Sequence, residues 1–221
     1  MAAVSLGSPS NGTKSSGEAA YDALLAALRE GRFRPGDRLR EEEVGDLLQL
    51  SRTPVREALR RLEADGIVEH RPRIGAVIRQ LDQRELVELY EMRVVLERTA
   101  AEFAAQHGAE AEFDTLDGLN AQIAAEGGNA AMAAAINQAF HRHLYIAGRN
   151  RFLLEAARAL NNSLLLLGPT TYTDADRIAE VVAQHGSIVD ALRNGDAEAA
   201  GAAAEAHLQA SLRYRLSKLS L

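Results

Sequence analysis

Apolar residues at helical spacing define the first predicted element of the chain. Tyr21, Leu24, Leu25 and Leu28 follow the i, i+3, i+4, i+7 spacing that places side chains on one helix face. A glycine stands directly after this segment and is a typical stop signal. The pattern therefore predicts a first helix over about 17–30.

A second, short helix is predicted over about 41–48. Three consecutive Glu residues open this segment, and acidic side chains in a first turn suit the partial positive charge of a helix N-terminus. Helical spacing places Val44, Leu47 and Leu48 on the buried side of this helix.

A third helix is predicted to start after Thr53 as its N-cap. Pro54 then takes the first helical position, where a missing N–H does no harm. The buried stripe consists of apolar residues at spacings of three and four: Val55, Leu59 and Leu62. A different face of the same helix carries a row of basic residues: Arg52, Arg56 and Arg60.

Two short strands are predicted next, at about 67–69 and 76–78, joined by a turn rich in Arg, Pro and Gly. From Leu81 onward the chain has only helical periodicity. Six helices are predicted there, over about 82–106, 109–126, 130–147, 151–167, 174–193 and 196–216. The predicted fold class is mainly α: an N-terminal winged helix-turn-helix with a small two-stranded wing, followed by an all-α helical bundle.

These patterns divide the chain into three predicted segments. Residues 1–17 are small and polar and are predicted to form a disordered arm. They contain no apolar run long enough for a signal peptide or a membrane span, so we expect no membrane partner. Residues 18–80 are predicted to form the winged domain, and residues 81–221 the helical domain.

The net charge of −6 argues against a nonspecific nucleic-acid binder, but it hides an asymmetry along the chain. Residues 1–80 carry a net charge of +1, residues 81–221 carry −7, and the stretch 52–79 carries +3. Phosphates respond to local basic charge, so a small basic face on an acidic protein is compatible with DNA binding. The absence of Cys favours a reducing cytoplasm as the location of the protein.

The row of Arg residues on the third helix is the first candidate site. Such a row is often only a solvated face. Here it begins at a helix start, follows a short amphipathic helix and precedes a wing, which is the plan of a winged helix-turn-helix that inserts its third helix into the major groove. We expect Arg52 and Arg56 to reach a guanine edge or a phosphate, and Ser51 and Thr53 to bind phosphates or bases. Arg73, at the wing tip, is expected to reach the minor groove or the backbone.

The segment PGDRLREEEVGDLLQLSRTPVREALRRLEADGIVEHRPRIGAVI, residues 35–78, resembles the winged helix-turn-helix domain of the GntR family of bacterial transcription regulators. The resemblance implies a homodimer that binds a short palindromic operator in double-stranded DNA, with each recognition helix in a major groove. The residues that match the family's DNA contacts are Ser51, Arg52, Thr53, Arg56 and the wing from Arg73 to Gly75.

One position departs from the family pattern. Glu42 stands where the family often has an Arg that contacts DNA. Phosphate repels a carboxylate, so this contact from the second helix is expected to be lost. Arg40 is the expected substitute.

The helical part resembles the FCD domain of the FadR subfamily of GntR regulators. The segments LYEMRVVLERTAAEFAA, NQAFHRHLYIAGRN and QHGSIVDALRNGDAEAA carry this resemblance, which extends over about 81–216. It implies that residues 81–221 form an effector-binding and dimerisation domain. The protein would then be a ligand-responsive transcription regulator, usually a repressor in this family, and not an enzyme.

Histidines on three predicted helices form the second candidate site. Spacing alone would favour isolated surface or core histidines at positions 141, 185 and 207. The FCD resemblance implies instead a divalent metal ion, zinc or nickel, because many members bind one with an Asp and three His. His141, His185 and His207 match the three His, and Asn137 stands in place of the Asp. A neutral amide offsets less cationic charge, so a weaker affinity or a different ion is expected.

Arg93 is the main candidate for effector binding. From the residues alone it either extends from a helix edge or pairs with Glu97, four residues later. The FCD resemblance implies that this Arg faces the ligand cavity and binds a carboxylate of a small organic acid. Three further residues are weaker predictions for the lining of that cavity: Tyr90, Tyr145 and Asn161.

Two other classes of function remain open. A metalloenzyme could use three His to activate water, but the chain has no HExxH motif and the DNA-binding part would be unexplained. A constitutive architectural DNA-binding protein would use the helical domain only to dimerise. Metal analysis separates this second alternative from a metal-dependent regulator.

Overall fold

The chain is described by a computed structural model that covers residues 15–126, 128–168 and 170–219. Residues 1–14 of the predicted arm lie outside the described residues, and the first helix begins at Ser16, one residue before its predicted start. The elements of the described chain, in order, are α1 Ser16–Arg29, α2 Glu41–Leu48, α3 Arg52–Ala64, β1 Val68–Arg71, β2 Gly75–Ile78, α4 Gln83–His107, α5 Glu110–Ala125, α6 Ala130–Ala147, α7 Arg151–Ser163, a 3-10 turn Leu164–Leu167, α8 Ala175–Arg193 and α9 Ala197–Leu219. The predicted fold class is confirmed: mainly α, with a small wing after three helices and a helical bundle behind it.

The wing is an antiparallel pair of strands closed by a tight turn. β1 and β2 pair from Val68 opposite Ile78 to Arg71 opposite Gly75. Arg73 and Gly75 both have positive φ, 67° and 97°, which turns the chain at the tip. The loop before α2 joins the same sheet through a single bridge between Arg38 and Val77. This bridge anchors the wing to the segment that leads into α2.

The predicted start of α3 is wrong by two residues. Ser51 is the N-cap, with extended backbone angles of φ −73° and ψ 163°, and the helix begins at Arg52. Pro54 therefore occupies the third helical position. It is tolerated there because the first four N–H groups of a helix have no acceptor within the helix. Ser is a somewhat better N-cap than Thr, but Ser51 makes no side-chain capping hydrogen bond here, so capping preference does not account for the start of α3.

The predicted burial of α2 is correct for Val44 but wrong for Leu47. Val44 is fully buried, whereas Leu47 is 42% exposed, because this eight-residue helix meets α1 and α3 near Val44 and Gly45. A Cβ at Gly45 would lie 2.8 Å from the carbonyl oxygen of Leu50. The glycine thus permits the tight turn that leads into α3.

The winged domain has its own apolar core. Its buried side chains come from all three helices and the wing: Tyr21, Leu24, Leu25, Leu28, Leu39, Val44, Val55, Leu59, Leu62, Ile67 and Ile78. Leu166, from the 3-10 turn after α7, also lies in this core and is 3% exposed. The helical domain is therefore attached to the winged domain by an inserted apolar side chain.

The helical domain is built around α4. This helix packs along α9 and also contacts α6, α7 and α8, while α5 packs against α6 and α8. Asp82 forms a capping box with Glu85 at the start of α4. The largest fully buried side chains of the bundle core are Phe140, Leu116, Leu144, Ile188 and Leu192. No described helix has an apolar stretch of the length needed to cross a membrane.

Candidate nucleic-acid interface and metal centre

A concave basic surface lies between α2, the start of α3 and the wing. Ionisable residues and one glycine of its lining are Arg38, Arg40, Glu41, Glu42, Arg52, Arg56, Arg60, Glu63, His70 and Gly75. Among the predicted DNA contacts, Arg40, Arg52, Arg56 and Gly75 thus share one surface. We call this surface the basic groove.

The other predicted contacts lie beside the basic groove. Ser51 and Thr53 are exposed at the start of α3, and the Ser51 side chain makes no capping hydrogen bond. The N–H groups of the first turn of α3 therefore remain available to an anion such as phosphate. Arg73 is exposed at the wing tip, as predicted.

Three Glu residues of α2 pair with the Arg residues of the basic groove. Arg56 donates from Nε and Nη2 to the two carboxylate oxygens of Glu41, both at 2.8 Å. Arg52 Nη2 lies 3.2 Å from Glu42 Oε1. Arg40 forms the third pair at 2.6 Å, with Glu43. The sequence showed an acidic row and a basic row, but their pairing depends on the angle between α2 and α3.

These pairs explain what Glu42 does in the protein without DNA. Its carboxylate accepts a hydrogen bond from Arg52, which is one of the predicted DNA contacts. The residue that departs from the family pattern therefore pairs with a DNA-contacting Arg when no DNA is bound. The side chains are exposed, 69% for Arg52 and 72% for Glu42, so the pair is weak. A phosphate can therefore displace it at little cost.

Three histidines meet in the interior of the helical domain. His141 lies on α6, His185 on α8 and His207 on α9, with exposures of 6%, 0% and 2%. Each offers a ring nitrogen such that the three nitrogens lie within 4.8 Å of one another. We call these residues the His cluster. The structure brings together the three histidines that the family resemblance singled out.

Unpartnered polar atoms in the His cluster fit a bound cation. Both ring nitrogens of His185, Nε2 of His141 and the carboxamide oxygen of Asn137 are buried without a hydrogen-bond partner among the described residues. Burial, reinforced by neighbouring positive groups, holds the pKa of His185 and His207 well below the usual histidine value, so both offer lone pairs at neutral pH. Each unpartnered buried group costs about 1–3 kcal/mol, and ligation would remove that cost.

Asn137 lies one helical turn before His141 on α6, so its buried, unpartnered amide oxygen is a candidate fourth, neutral donor on the same side of that helix. Three imidazoles with one oxygen suit zinc or nickel. The residues present therefore fit a divalent metal of that kind.

Arg93 and Glu97 form a buried ion pair next to the His cluster. Arg93 donates from Nε and Nη2 to Glu97 Oε1 at 3.2 and 2.8 Å, and the two residues are 7% and 2% exposed. The second oxygen of Glu97 lies 2.5 Å from His141 Nδ1. Burial opposes ionisation of Glu97, but its contacts with the His141 ring and the Arg93 guanidinium outweigh it and hold its pKa at about 2. Glu97 is therefore ionised at neutral pH.

Of the alternatives predicted for Arg93 from the sequence, the structure has the ion pair with Glu97. The guanidinium carbon of Arg93 also lies 4.9 Å from the centre of the Tyr90 ring. Tyr145 is 3% exposed, and burial together with the Glu97 charge raises its pKa. Asn161 is exposed on α7. Glu97 was missed as a site residue, because its contact with His141 joins two helices far apart in sequence.

A winged helix with a basic groove, joined to a helical domain with a buried donor cluster, defines a two-domain DNA-binding regulator. The family comparison makes this specific. Residues 16–78 match the model for bacterial regulatory proteins of the gntR family, and residues 88–210 match the FCD domain. The chain belongs to the GntR family of transcriptional regulators, in the group with an FCD domain, and is not an enzyme.

Individual relatives agree with this assignment. The chain is 34% identical over 192 residues to "Probable D-xylose utilization operon transcriptional repressor" of Paenarthrobacter nicotinovorans, which covers 86% of this chain and 84% of that protein. It is 34% identical over 133 residues to the Nta operon transcriptional regulator of Aminobacter aminovorans, 60% of this chain and 63% of the relative.

Solved structures give the same fold. A GntR transcriptional regulator from Rhodococcus sp. RHA1 superposes with a TM-score of 0.78 at 26% identity, over 92% of this chain and 99% of that one. McbR/YncC of Escherichia coli superposes with a TM-score of 0.80 at 20% identity, over 94% and 100% of the two chains. Because McbR/YncC is only 20% identical to this chain, this match shows a shared fold and nothing further.

Proposed function

We propose that this GntR regulator is a metal-dependent repressor that binds a palindromic operator as a homodimer in the cytoplasm and releases it when a small organic acid binds. The observation that carries the proposal is the coexistence of an exposed basic groove and a buried cluster of unpartnered metal donors in one chain. The first suits DNA phosphates and base edges, and the second suits a ligand that the helical domain senses.

The DNA-binding mode follows from the basic groove. The start of α3 would enter the major groove, with Arg52 and Arg56 exchanging their Glu partners for base edges or phosphates. Two copies would occupy half-sites about one helical turn apart. Ser51, Thr53, Arg40 and the wing tip at Arg73 would supply backbone contacts beside them.

Reversing the charge of Glu42 is expected to strengthen DNA binding. In Glu42→Arg the repulsive carboxylate is replaced by a phosphate contact and Arg52 loses its acidic partner. The log–log dependence of affinity on salt should become steeper by about one per protomer. The matched control is Glu155→Arg, an identical charge change at an exposed position on α7. Equal effects of both variants, measured by fluorescence anisotropy over a salt series, would mean that only net charge matters.

The metal role follows from the His cluster. A divalent ion held by His141, His185 and His207, with Asn137 as a neutral donor, would supply a Lewis-acidic centre for an acid ligand. An effector carboxylate that also reached Arg93 would have to compete with Glu97. Relatives named for a D-xylose utilization operon and an Nta operon support small metabolites as the effector class.

A physical path connects the His cluster to the winged domain. His207 and Arg215 lie two turns apart on α9, and Arg215 Nη1 donates to the carbonyl oxygen of Leu167 at 2.7 Å. The neighbouring Leu166 is part of the winged-domain core. A shift of α9 on ligand binding would therefore change how the winged domain is held, and half-sites one turn apart tolerate little change in that placement.

The decisive experiment combines operator selection with effector titration. An operator is first selected from a random-sequence DNA pool with the zinc-loaded protein, and its symmetry is compared with that of a palindrome. Hydroxy acids, dicarboxylates and sugar acids are then titrated into the complex. At least one class is expected to weaken DNA binding about 5- to 150-fold, the usual size of allosteric coupling. Constant affinity across the panel, with zinc present, would support the architectural alternative instead.

A further inference from the structure

The His207 ring is held by a side chain that no DNA or effector role explains. Its Nδ1 lies 2.9 Å from Gln184 Oε1, across the contact between α8 and α9. Gln184 is half-buried and lies one residue before His185, so it belongs to the rim of the His cluster. What this contact does depends on which atom carries the proton.

A relay of hydrogen bonds fixes the orientation of the Gln184 amide. Its Nε2 donates to Glu180 Oε1 at 3.0 Å, and Glu180 Oε2 accepts from Arg177 Nη1 at 2.8 Å. Arg177 is 4% exposed and donates from Nη2 to Ser211 Oγ on α9 at 2.6 Å. The relay therefore starts at Ser211 on α9, passes along α8 through Arg177, Glu180 and Gln184, and returns to α9 at His207.

This orientation determines the tautomer of His207. With Nε2 of Gln184 donating to Glu180, the oxygen of Gln184 is left to accept, so His207 must carry its proton on Nδ1. The lone pair then lies on Nε2, the nitrogen available to the cluster. A histidine ligand whose other nitrogen donates to a fixed acceptor is the arrangement that orients metal-binding imidazoles.

Glu97 acts on His141 in the same way. Its Oε2 lies 2.5 Å from His141 Nδ1, although the contact is off the axis of a good hydrogen bond. Two lone pairs at that distance would repel, so the proton of His141 belongs on Nδ1 and its Nε2 lone pair is free. His185 needs no such partner, because its ring stacks on Phe140 with centroids 3.8 Å apart and planes 2° from parallel.

We infer that Gln184 and Glu97 are positioning residues that direct the Nε2 lone pairs of His207 and His141 to one divalent cation. Glu97 also places a negative charge beside a donor set in which Asn137 is neutral. This inference rests on the proposed metal binding and specifies how this chain prepares its donors.

Gln184→Leu is the main test. Leu cannot accept from Nδ1, so His207 loses its fixed tautomer and zinc affinity is expected to fall about 10- to 100-fold. The matched control is Gln209→Leu on α9, because Gln209 is exposed and donates to Glu205, four residues earlier, at 2.8 Å, without touching a histidine. Gln184→Glu retains an acceptor and is expected to keep most of the affinity. Affinities are measured by competition with a chromogenic chelator on the full-length protein.

A second readout does not depend on metal binding. In chelator-treated protein with 15N-labelled histidine, long-range 1H–15N spectra report which ring nitrogen carries the proton. The wild type and Gln209→Leu are expected to show His207 protonated on Nδ1, and Gln184→Leu a mixture. Glu97→Gln is examined in the same way for His141.

The outcomes separate the two ideas. If wild-type protein binds no zinc, the proposed metal dependence fails, while the tautomer spectra still decide the positioning roles. If the wild type binds zinc and Gln184→Leu matches Gln209→Leu in both affinity and tautomer, the positioning inference is overturned and the metal proposal stands.

Discussion

His185→Leu is expected to abolish stabilisation by zinc while leaving the metal-free protein at least as stable as the wild type. His185 is fully buried, and neither ring nitrogen has a hydrogen-bond partner among the described residues. Replacing the ring with an apolar side chain of similar volume removes that unsatisfied polarity. It also removes one of the three imidazoles of the His cluster, so the remaining donors no longer enclose a metal ion.

The size of the effect follows from ligand linkage. A ligand at 100 times its Kd stabilises the folded state by about 2.7 kcal/mol, which for a chain of this length raises Tm by about 5–10 °C. Differential scanning calorimetry with and without zinc should show this rise for the wild type and none for His185→Leu.

His143→Leu is the matched control for this prediction. His143 lies on α6, two residues after His141, and is half-buried but outside the His cluster. This control should keep the full zinc-induced shift. If His185→Leu kept it as well, zinc would bind elsewhere and the His cluster would be only a packing feature. If His185→Leu were unstable without metal, the loss of stacking on Phe140 would outweigh the gain from removing the two unsatisfied ring nitrogens.

The sequence predicted the elements of this fold well where local signals set them. α2 and α6 have the predicted bounds, since an acidic first turn marks the start of one and an Asn cap that of the other. The ends of α7 and α3 were less accurate. The last turn of the helix predicted to end at Leu167 is 3-10, and α3 begins after Ser51 although Ser51 makes no side-chain capping hydrogen bond. In both cases the choice depends on packing against the rest of the protein.

The site was predictable to the extent that contacts are local. Pairing of Arg93 with Glu97 follows from their spacing of four on one helix, and the structure has that pair. The contacts of Glu41 with Arg56 and of Gln184 with His207 join different helices. Spacing contains no information on the crossing geometry that creates them. Likewise, the meeting of three histidines from α6, α8 and α9 was implied by the family resemblance and not by their spacing.

Arg56→Ala is expected to weaken operator binding about 10- to 100-fold. This is the size of the loss expected when a bidentate Arg contact to a guanine, or an Arg contact to phosphate, is removed. The structure adds a second reason. Arg56 forms a two-point pair with Glu41 on the wall of the basic groove, so the truncation also leaves that carboxylate unpaired, facing the DNA. The fold should survive, because the Arg56 side chain is 57% exposed.

The matched control is Arg84→Ala. Arg84 also pairs with a Glu at 2.8 Å and is 87% exposed, but it lies on α4, outside the basic groove. Anisotropy with the selected operator and a scrambled duplex separates two modes of contact. Loss on the operator alone means that Arg56 contacts a base, whereas equal loss on both, with a salt dependence shallower by about one, means a phosphate. Sedimentation velocity should give the same oligomeric state for both variants. If Arg56→Ala bound the operator as tightly as Arg84→Ala, the start of α3 would not lie in the major groove, and the wing would become the main contact.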